Sequence, residues 1–427
     1  MEARSQSRWF RWVEGGLLLY VLLLPLRRLL RLPVVEAKLQ PPEFLFPVLF
    51  VLVLLHFGRR LLSAWRWWYA GLLLYLGVLT WSTWRAGHLG GYLEWLGRGY
   101  LLAVGLMFCA YVRETGRDGV TKLLRAWAGG VAIGAVLIYG GYLLALLGWD
   151  NRLLLVHENY PYLGTVWRAS GLAGGPTAVV FLGILPTVYA WLQWRAGESR
   201  WGWWLLLLFP VFLLTFSKEV LLLGLAVLVA DRRLLFGFRW AFWPLVVGVS
   251  LVYWFGTHYI VQPVQEFAGS YLDGEEFSSG RIVWRGSDWQ LLETSYTAIK
   301  RACWWVATEQ PGGVGADQFP RQLPALKASG QYPTHLPDYV PHSTWFGALA
   351  ETGFIGFAGL LVFIYGLGKT VRKYGSDEPE ERALWGFLCI LLIGGMSMDY
   401  LSLRCVWVPV GMALGLYFWR RENPADA

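Results

Sequence analysis

The stretch Trp127–Trp149 reads WAGGVAIGAVLIYGGYLLALLGW and contains no charged residue. About 20 apolar residues in an α-helix are enough to cross the hydrocarbon core of a membrane, which is roughly 30 Å thick. Other uncharged apolar blocks lie before and after this stretch, at Gly15–Leu26, Phe44–Leu55, Tyr69–Leu79 and Leu205–Phe216. The pattern therefore predicts an all-α, polytopic integral membrane protein.

The composition of the whole chain favours the same class. Of the 427 residues, 56% are hydrophobic and 15% are charged, whereas a soluble domain carries about 25% charged residues. The apolar segments predict about twelve transmembrane helices in one transmembrane domain, residues 1–427. Their predicted starts lie near residues 9, 43, 66, 99, 126, 176, 203, 219, 240, 343, 384 and 405.

The distribution of basic residues indicates how these helices are oriented. With the N-terminus in the cytoplasm, the cytoplasmic segments hold 21 of the 37 lysines and arginines, in the sense of the positive-inside rule. Four basic residues fall on the other side and leave the first helix pair open as a re-entrant or interfacial element: Arg27, Arg28, Arg31 and Lys38. We interpret the net charge of +8 as topology signals and lipid-headgroup contacts, not as a nucleic-acid site.

Residues 263–342 are predicted to form a large helical loop outside the membrane. Between Arg281 and Thr308, apolar residues recur at three- and four-residue steps, which predicts an amphipathic helix. Ser278 and Ser279 are candidate caps for its start, and the sequence Pro-Gly-Gly at 311–313 ends it. Such a helix can lie on the membrane surface or cover a cavity between the spans.

Familiar cofactor and catalytic motifs are absent from the sequence. It contains no P-loop, HExxH, GxSxG or GxGxxG motif. The four cysteines are scattered and form no CxxC pair, which argues against a zinc site or a disulfide framework. We therefore predict no cofactor and no metal.

Four cationic side chains at the predicted outer helix ends are the candidate site residues. They are Arg168, Lys218, Arg281 and His342. An anionic headgroup needs several cationic donors, and a histidine can act as a general base near neutral pH. Each also has a structural explanation. Arg168 could snorkel to the membrane surface, and Lys218 could belong to a turn salt-bridged with Glu219. Arg281 could be a solvated residue at the start of the amphipathic helix, and His342 could cap the next helix.

Three strings in the loop and the helix that follows carry a family resemblance. They are Gly280–Trp284 (GRIVW), Gly313–Phe319 (GVGADQF) and His342–Gly356 (HSTWFGALAETGFIG). Two upstream strings, Arg168–Thr177 (RASGLAGGPT) and Thr215–Lys218 (TFSK), add to them. In this order and spacing they resemble the core region of the O-antigen ligase and Wzy-type polymerase superfamily, and the match covers residues 168–357.

The sequence departs from the family pattern at several positions. Ser343 and Thr177 stand where the family has Asn, and Phe346 stands where it has Leu. Lys218 and Glu219 stand where the family usually has Arg and Gly. Lysine keeps the positive charge but lacks the bidentate geometry of arginine, which weakens the case for a phosphate contact at this position.

The resemblance implies a GT-C-like glycosyltransferase in the bacterial inner (cytoplasmic) membrane, with its active site facing the periplasm. Its donor would be an undecaprenyl-diphosphate-linked glycan. The acceptor would be lipid A-core in a ligase, or another lipid-linked glycan in a polymerase. Arg281 and Arg168 would hold the diphosphate, Lys218 would assist them, and His342 would be the catalytic base. The four side chains are then expected to converge on one cavity.

Other functions remain open at this point. Ligase and polymerase share the same strings, and the sequence hardly separates them. A transporter or flippase for a lipid-linked glycan would also suit twelve spans. Against it stand the lack of a repeat between the two halves and the scarcity of charges within the spans, with Glu351 as an exception. A structural scaffold would not account for the clustered outer cations.

Overall fold

The computed structural model describes residues 8–27, 40–61, 67–160, 163–231, 239–264, 278–374 and 378–423. These residues are mostly helical. They form thirteen α-helices: α1 Arg8–Leu23, α2 Pro41–Leu61, α3 Tyr69–Ala86, α4 Leu89–Leu146, α5 Pro176–Arg195, α6 Arg200–Leu213, α7 Glu219–Ala230, α8 Phe242–His258, α9 Ser295–Glu309, α10 Leu323–Ala328, α11 Thr344–Tyr374, α12 Pro379–Gly394 and α13 Arg404–Glu422.

Three of the described helices are long and apolar enough to cross a membrane: Leu89–Leu146, Pro176–Arg195 and Thr344–Arg372. Three shorter apolar helices accompany them, at Pro41–Phe57, Arg200–Leu213 and Glu219–Ala230. A helical protein with apolar helices able to span a membrane is thus confirmed. The count of twelve spans and their orientation stay predictions.

Helix boundaries follow local sequence signals. Pro176 occupies the first position of α5, where a missing backbone N–H leaves no hydrogen bond unmade. The long helix α4 contains a break at Gly116, which has a φ of 60° and a ψ of −139°. The break divides α4 into two consecutive segments, where the sequence predicted two spans with starts near 99 and 126.

Many apolar side chains on the helix surfaces are largely exposed. Leu55 on α2 is 80% exposed, Trp203 on α6 is 75% exposed and Trp243 on α8 is 69% exposed. Exposed apolar area of this extent is unusual for a protein surrounded by water. It is the surface that hydrocarbon contact requires.

Two small antiparallel sheets correct the all-α prediction. Strands β1 (Leu154–Tyr160) and β2 (Gly164–Ala169) form a hairpin before α5. Strands β3 (Tyr259–Pro263), β4 (Ser278–Arg285) and β5 (Trp289–Thr294) form a second sheet in the order β3-β5-β4. Strands β4 and β5 lie in the segment 263–342, which the sequence placed outside the membrane.

The second sheet replaces the first half of the predicted amphipathic helix. Residues 281–294 belong to β4 and β5, and the helix of this region, α9, begins only at Ser295. Ile282, Val283 and Trp284 favour a strand, and Gly286-Ser287-Asp288 makes the turn, in which the Gly286 N–H donates to the Trp289 carbonyl at 2.8 Å. Ser278 and Ser279 are therefore strand residues and not helix caps.

Candidate functional site

A cavity of about 530 Å³ lies where the ends of α4, α7, α9 and α11 approach one another. The turn before α7 contributes Lys218, and the segment that leads into α11 contributes His342. Further walls come from residues 317–320 and from the 397–402 segment before α13. Two of the four predicted site residues, distant in sequence, therefore face the same space.

Tyr296, in the first turn of α9, lies between these two groups. The Lys218 ammonium lies 4.5 Å from the centre of the Tyr296 ring and 5.8 Å from that of Tyr253. The imidazole of His342 lies 5.6 Å from the Tyr296 ring, centre to centre, and 5.7 Å from that of Tyr339. Aromatic faces stabilise a nearby cation and limit where both side chains can move.

Both groups are desolvated, with consequences for their charge. Burial lowers the pKa of His342 below its usual 6.5, Lys218 lowers it further, and the Asp399 carboxylate works in the opposite direction. The imidazole is therefore mainly neutral at pH 7 and able to accept a proton. Burial also lowers the pKa of Lys218, and the neighbouring Glu219 offsets part of this effect.

A buried Lys–His pair lies behind Tyr296. The Lys300 ammonium contacts Nε2 of His258, whose Nδ1 lies 2.6 Å from the Trp254 carbonyl oxygen. Burial first, and then the charge of Lys218, lowers the pKa of Lys300 to about 7. The charges of Lys218 and Lys300 thus oppose each other, and an anion bound near Lys218 would favour the charged form of both.

Arg168 supports the turn that carries Lys218 and does not line the cavity. Its Nε donates to the Thr215 carbonyl at 2.9 Å and its Nη2 to the Phe216 carbonyl at 3.3 Å. Phe216 has a φ of 47°, a backbone conformation that costs energy outside glycine and needs such support. The predicted direct contact of Arg168 with a diphosphate has no geometric basis here, because its guanidinium is directed at the turn.

Glu219 joins the same turn to the start of α5. Its carboxylate accepts from the Ser217 hydroxyl and, at 3.4 Å, from the Thr177 hydroxyl. Thr177 is the residue that replaces the family's Asn, and Glu219 the one that replaces its Gly. The two departures from the family pattern are thus partners in one contact.

Arg281 lies in a different place from the other predicted site residues. It projects from β4 with its side chain 61% exposed, and its Nη1 is 3.6 Å from Oε1 of Glu293. It lines a second, more open cavity of about 620 Å³ that shares no lining residue with the first. The structure thus brings Lys218 and His342 together at the first cavity, whereas Arg281 and Arg168 are not among the residues that line it.

The sequence analysis missed Arg98 in the apolar first part of α4. Its side chain is 7% exposed, and its Nη2 lies 3.2 Å from the Glu351 carboxylate and 3.5 Å from that of Asp399. Nη1 donates to the Tyr75 hydroxyl at 3.0 Å, and Glu94 lies one turn earlier on the same helix, 3.5 Å from Nε. The available signal was the spacing of Glu94 and Arg98, one helical turn apart, just before the apolar run Gly99–Val112.

Glu351 connects this ion-pair network to the turn at residues 313–319. Its Oε1 accepts from the Asp317 N–H at 3.2 Å, and its backbone carbonyl accepts from the Gly315 N–H at 2.9 Å. Two of the three strings that carry the family resemblance thus contact each other along one cavity wall.

Glycine is required at that contact. α11 is kinked at Gly353, which has a φ of 61°, and a Cβ there would overlap the carbonyl oxygen of Pro311. A Cβ on Gly313, which has a φ of 77°, would likewise overlap the Glu351 carbonyl. A side chain at either position would therefore separate the turn from α11.

The first cavity is lined by charged side chains of both signs. Lys218 and His342 stand on one side near Tyr296, while Arg98 is surrounded by carboxylates that also line the space. Five acidic residues line it in all: Glu94, Glu219, Asp317, Glu351 and Asp399. Carboxylates lie near both cationic candidates, Glu219 beside Lys218 and Asp399 beside His342, so the lining as a whole is rich in hydrogen-bond acceptors.

Within the described part of the chain, no group of three or more His, Cys, Asp or Glu side chains is arranged to hold a metal ion. Comparison of the chain with protein-family models and with curated protein sequences found no match.

Proposed function

We propose that the protein is a membrane glycosyltransferase of the O-antigen ligase type, which transfers a glycan from an undecaprenyl-diphosphate donor to an acceptor such as lipid A-core. One observation carries the proposal. The segment before α7 and the segment before α11 bring a desolvated lysine and a neutral histidine to the two sides of Tyr296 in one cavity. The proposed membrane is the bacterial inner membrane, with the cavity on the periplasmic side.

The reaction in this cavity needs one base and one anion site. An imidazole nitrogen of His342 takes the proton of the acceptor hydroxyl as the oxygen attacks the anomeric carbon. The bond from that carbon to the diphosphate oxygen breaks, and the diphosphate leaves with the bonding electron pair. Lys218 stabilises the negative charge that grows on the leaving group, with the positive potential of Lys300 behind it.

The acidic side of the cavity fits the sugar part of the substrates. Carboxylate oxygens accept hydrogen bonds from hydroxyl groups, and Asp317 and Asp399 line the cavity on this side. Arg98 balances part of their charge and fixes the Glu351 carboxylate at 3.2 Å. A diphosphate bound there would meet like charge, so the proposal orients the donor with its diphosphate toward Lys218.

The two arginines receive other roles than a direct grip on the diphosphate. Arg168 is a positioning residue, because it holds the carbonyl groups of Thr215 and Phe216 in the turn before Lys218. Arg281 lies on the other cavity and takes no part in the transfer step.

The same chemistry would serve a polymerase that joins lipid-linked repeat units, since only the acceptor differs. A transporter or flippase for lipid-linked glycans is the second candidate class. The buried Arg98–Glu351 pair favours it, because the two residues come from two of the helices able to span a membrane, and charges at such positions often mark a transport pathway.

The deciding experiment uses the full chain in nanodiscs with a polyprenyl-diphosphate-linked oligosaccharide and a lipid A-core acceptor. Mass spectrometry of the products should show a new glycosidic bond and free polyprenyl diphosphate. His342→Ala should lower the transfer rate by about 100- to 10,000-fold, while His157→Ala, on the β1–β2 hairpin, should leave it unchanged.

Each other outcome selects an alternative. Transfer to a second lipid-linked oligosaccharide, with none to lipid A-core, would replace the ligase by a polymerase. Movement of the lipid-linked glycan across liposome membranes without any new bond would support the transporter. An active His342→Ala variant would remove the base assignment.

A further inference from the structure

The second cavity is an open groove with an excess of positive charge. Arg281 from β4 and Arg301 from α9 both line it, and both pair with the same carboxylate, Glu293. The Glu293 side chain is only 9% exposed, whereas those of Arg281 and Arg301 are 61% and 34% exposed. Among the residues that the structure describes, no carboxylate lines the groove itself.

α9 separates this groove from the first cavity. Tyr296 faces the first cavity, and Arg301 and Trp305 of the same helix face the groove. At 3.6 residues per turn, these two positions are rotated by about 140° and about 180° from Tyr296. The buried side chains of α9, including Ile299, Cys303 and Val306, pack into a hydrophobic cluster of their own.

The chemistry of the groove indicates what it binds. Guanidinium groups recognise carboxylates and phosphates by paired hydrogen bonds, and the single shared carboxylate leaves them with a net positive charge. Trp305, 41% exposed, adds a flat apolar face of the kind on which a sugar ring can lie. Gln331 and Thr334 add neutral hydrogen-bonding groups on the opposite wall.

We propose that this groove is a binding site for an acidic saccharide, in which Arg281 and Arg301 bind the carboxylate or phosphate of one sugar residue and Trp305 stacks on a neighbouring ring. The assignment rests on the proposed function in taking the ligand to be a glycan. It deepens that function by making the protein selective for a charged polymer or acceptor. Arg281 is then a specificity residue for the glycan rather than part of the transfer step.

The test is a binding measurement that needs no donor and no turnover. The full chain in phosphatidylcholine nanodiscs is titrated by calorimetry with a tetramer of galacturonic acid and, in parallel, with its fully methyl-esterified neutral form. The acidic tetramer should bind, more weakly as the salt concentration rises, and the neutral form should bind at least about tenfold more weakly, as loss of a charged hydrogen-bond partner implies.

Matched variants distinguish specific binding in the groove from nonspecific attraction to the positive charge of the protein. Arg281→Gln and Trp305→Ala should each weaken binding of the acidic tetramer by about tenfold. Arg285→Gln and Trp284→Ala change exposed residues of the same strand that do not line the groove, and should bind as the unchanged protein does. If Arg301→Gln misfolds, the exposed Arg281 still tests the site.

Three results would overturn the assignment. They are equal binding of the acidic and neutral tetramers, equal loss in Arg281→Gln and Arg285→Gln, and loss of tetramer binding when phosphatidylglycerol is added to the nanodiscs, which would make a lipid headgroup the occupant. Another outcome is tetramer binding that depends on Arg281 in a protein that shows no transfer activity. That result would support the groove as a saccharide site and contradict the proposed function. Transfer activity without tetramer binding would support the proposed function and contradict the saccharide site in the groove.

Discussion

The two cavities on either side of α9 differ in how their charges are held. In the first, Lys218 and His342 are desolvated and rest against Tyr296, and Arg98 is buried among carboxylates. In the second, Arg281 and Arg301 are partly exposed and share one carboxylate. A desolvated charge interacts strongly with a ligand and shifts its own pKa, whereas an exposed guanidinium contributes recognition at lower cost.

This difference assigns different tasks to residues that look alike in the sequence. Groups that must change or stabilise charge during a reaction gain from the closed cavity. Groups that only select a ligand work well in an open groove. Substitutions in the first cavity should therefore affect the rate of transfer, and those in the second should affect the affinity for an acidic glycan.

After His342→Ala, the largest effect is expected from Lys218→Met, which keeps a side chain of similar length and removes the charge. The transfer rate should fall by about 100- to 1,000-fold, as for loss of one group that stabilises developing charge. In the same assay with a neutral glycan, Arg281→Gln should change the rate by less than about twofold, the size expected for a surface charge. Product formation under saturating donor is the measurement.

Lys327→Met is the control, since its ammonium pairs with Asp338 at 2.8 Å and does not line the first cavity. Equal losses in Lys218→Met and Arg281→Gln would mean that the division between a reactive cavity and a selective groove is wrong.

A smaller effect is expected from Gly353→Ala, which tests the wall of the first cavity. Alanine at a φ of 61° is strained, and its Cβ would overlap the Pro311 carbonyl oxygen. Such strain costs about 1–3 kcal/mol, so the melting temperature of the full chain in detergent should fall. Gly368→Ala, in the same helix with open space around the position, should leave it unchanged or raise it slightly.

Gly353→Ala should also affect the two cavities differently. Because residues 313–319 pack on the kink, Gly353→Ala should also slow transfer, while binding of acidic tetragalacturonate in the groove should persist. Unchanged melting and transfer would contradict the role given to the kink.

Much of the helical framework was predictable from local signals. Pro176 and Glu219 begin helices at the residues where the apolar blocks start. The joint placement of Lys218 and His342 came from the strings around them, since helix periodicity alone does not bring two distant segments together.

The differences between the sequence predictions and the structure have three separate physical causes. Apolar residues at three- and four-residue steps between Arg281 and Thr308 match a helix, but the first half contains a Gly-Ser-Asp turn that lets two strands pair instead. Arg98 was missed because its partners Glu351 and Asp399 are 253 and 301 residues away, and composition cannot pair charges across such separations. Arg168 and Arg281 were predicted to line one cavity because a match between sequence strings does not give the direction of a side chain.

The smallest effect is expected in the pH profile of transfer near neutrality. His342 must be unprotonated to accept a proton, and burial holds its pKa below 6.5. The rate should therefore change by less than about twofold between pH 7.5 and 6.5, and should fall by about tenfold per unit only below the lowered pKa. In His342→Gln the residual rate should lose this acid limb, while binding of a neutral glycan keeps its pH dependence. An acid limb centred above pH 6.5 would indicate that the Asp399 carboxylate outweighs burial at His342, and the closed cavity would then differ less from the open groove than its geometry implies.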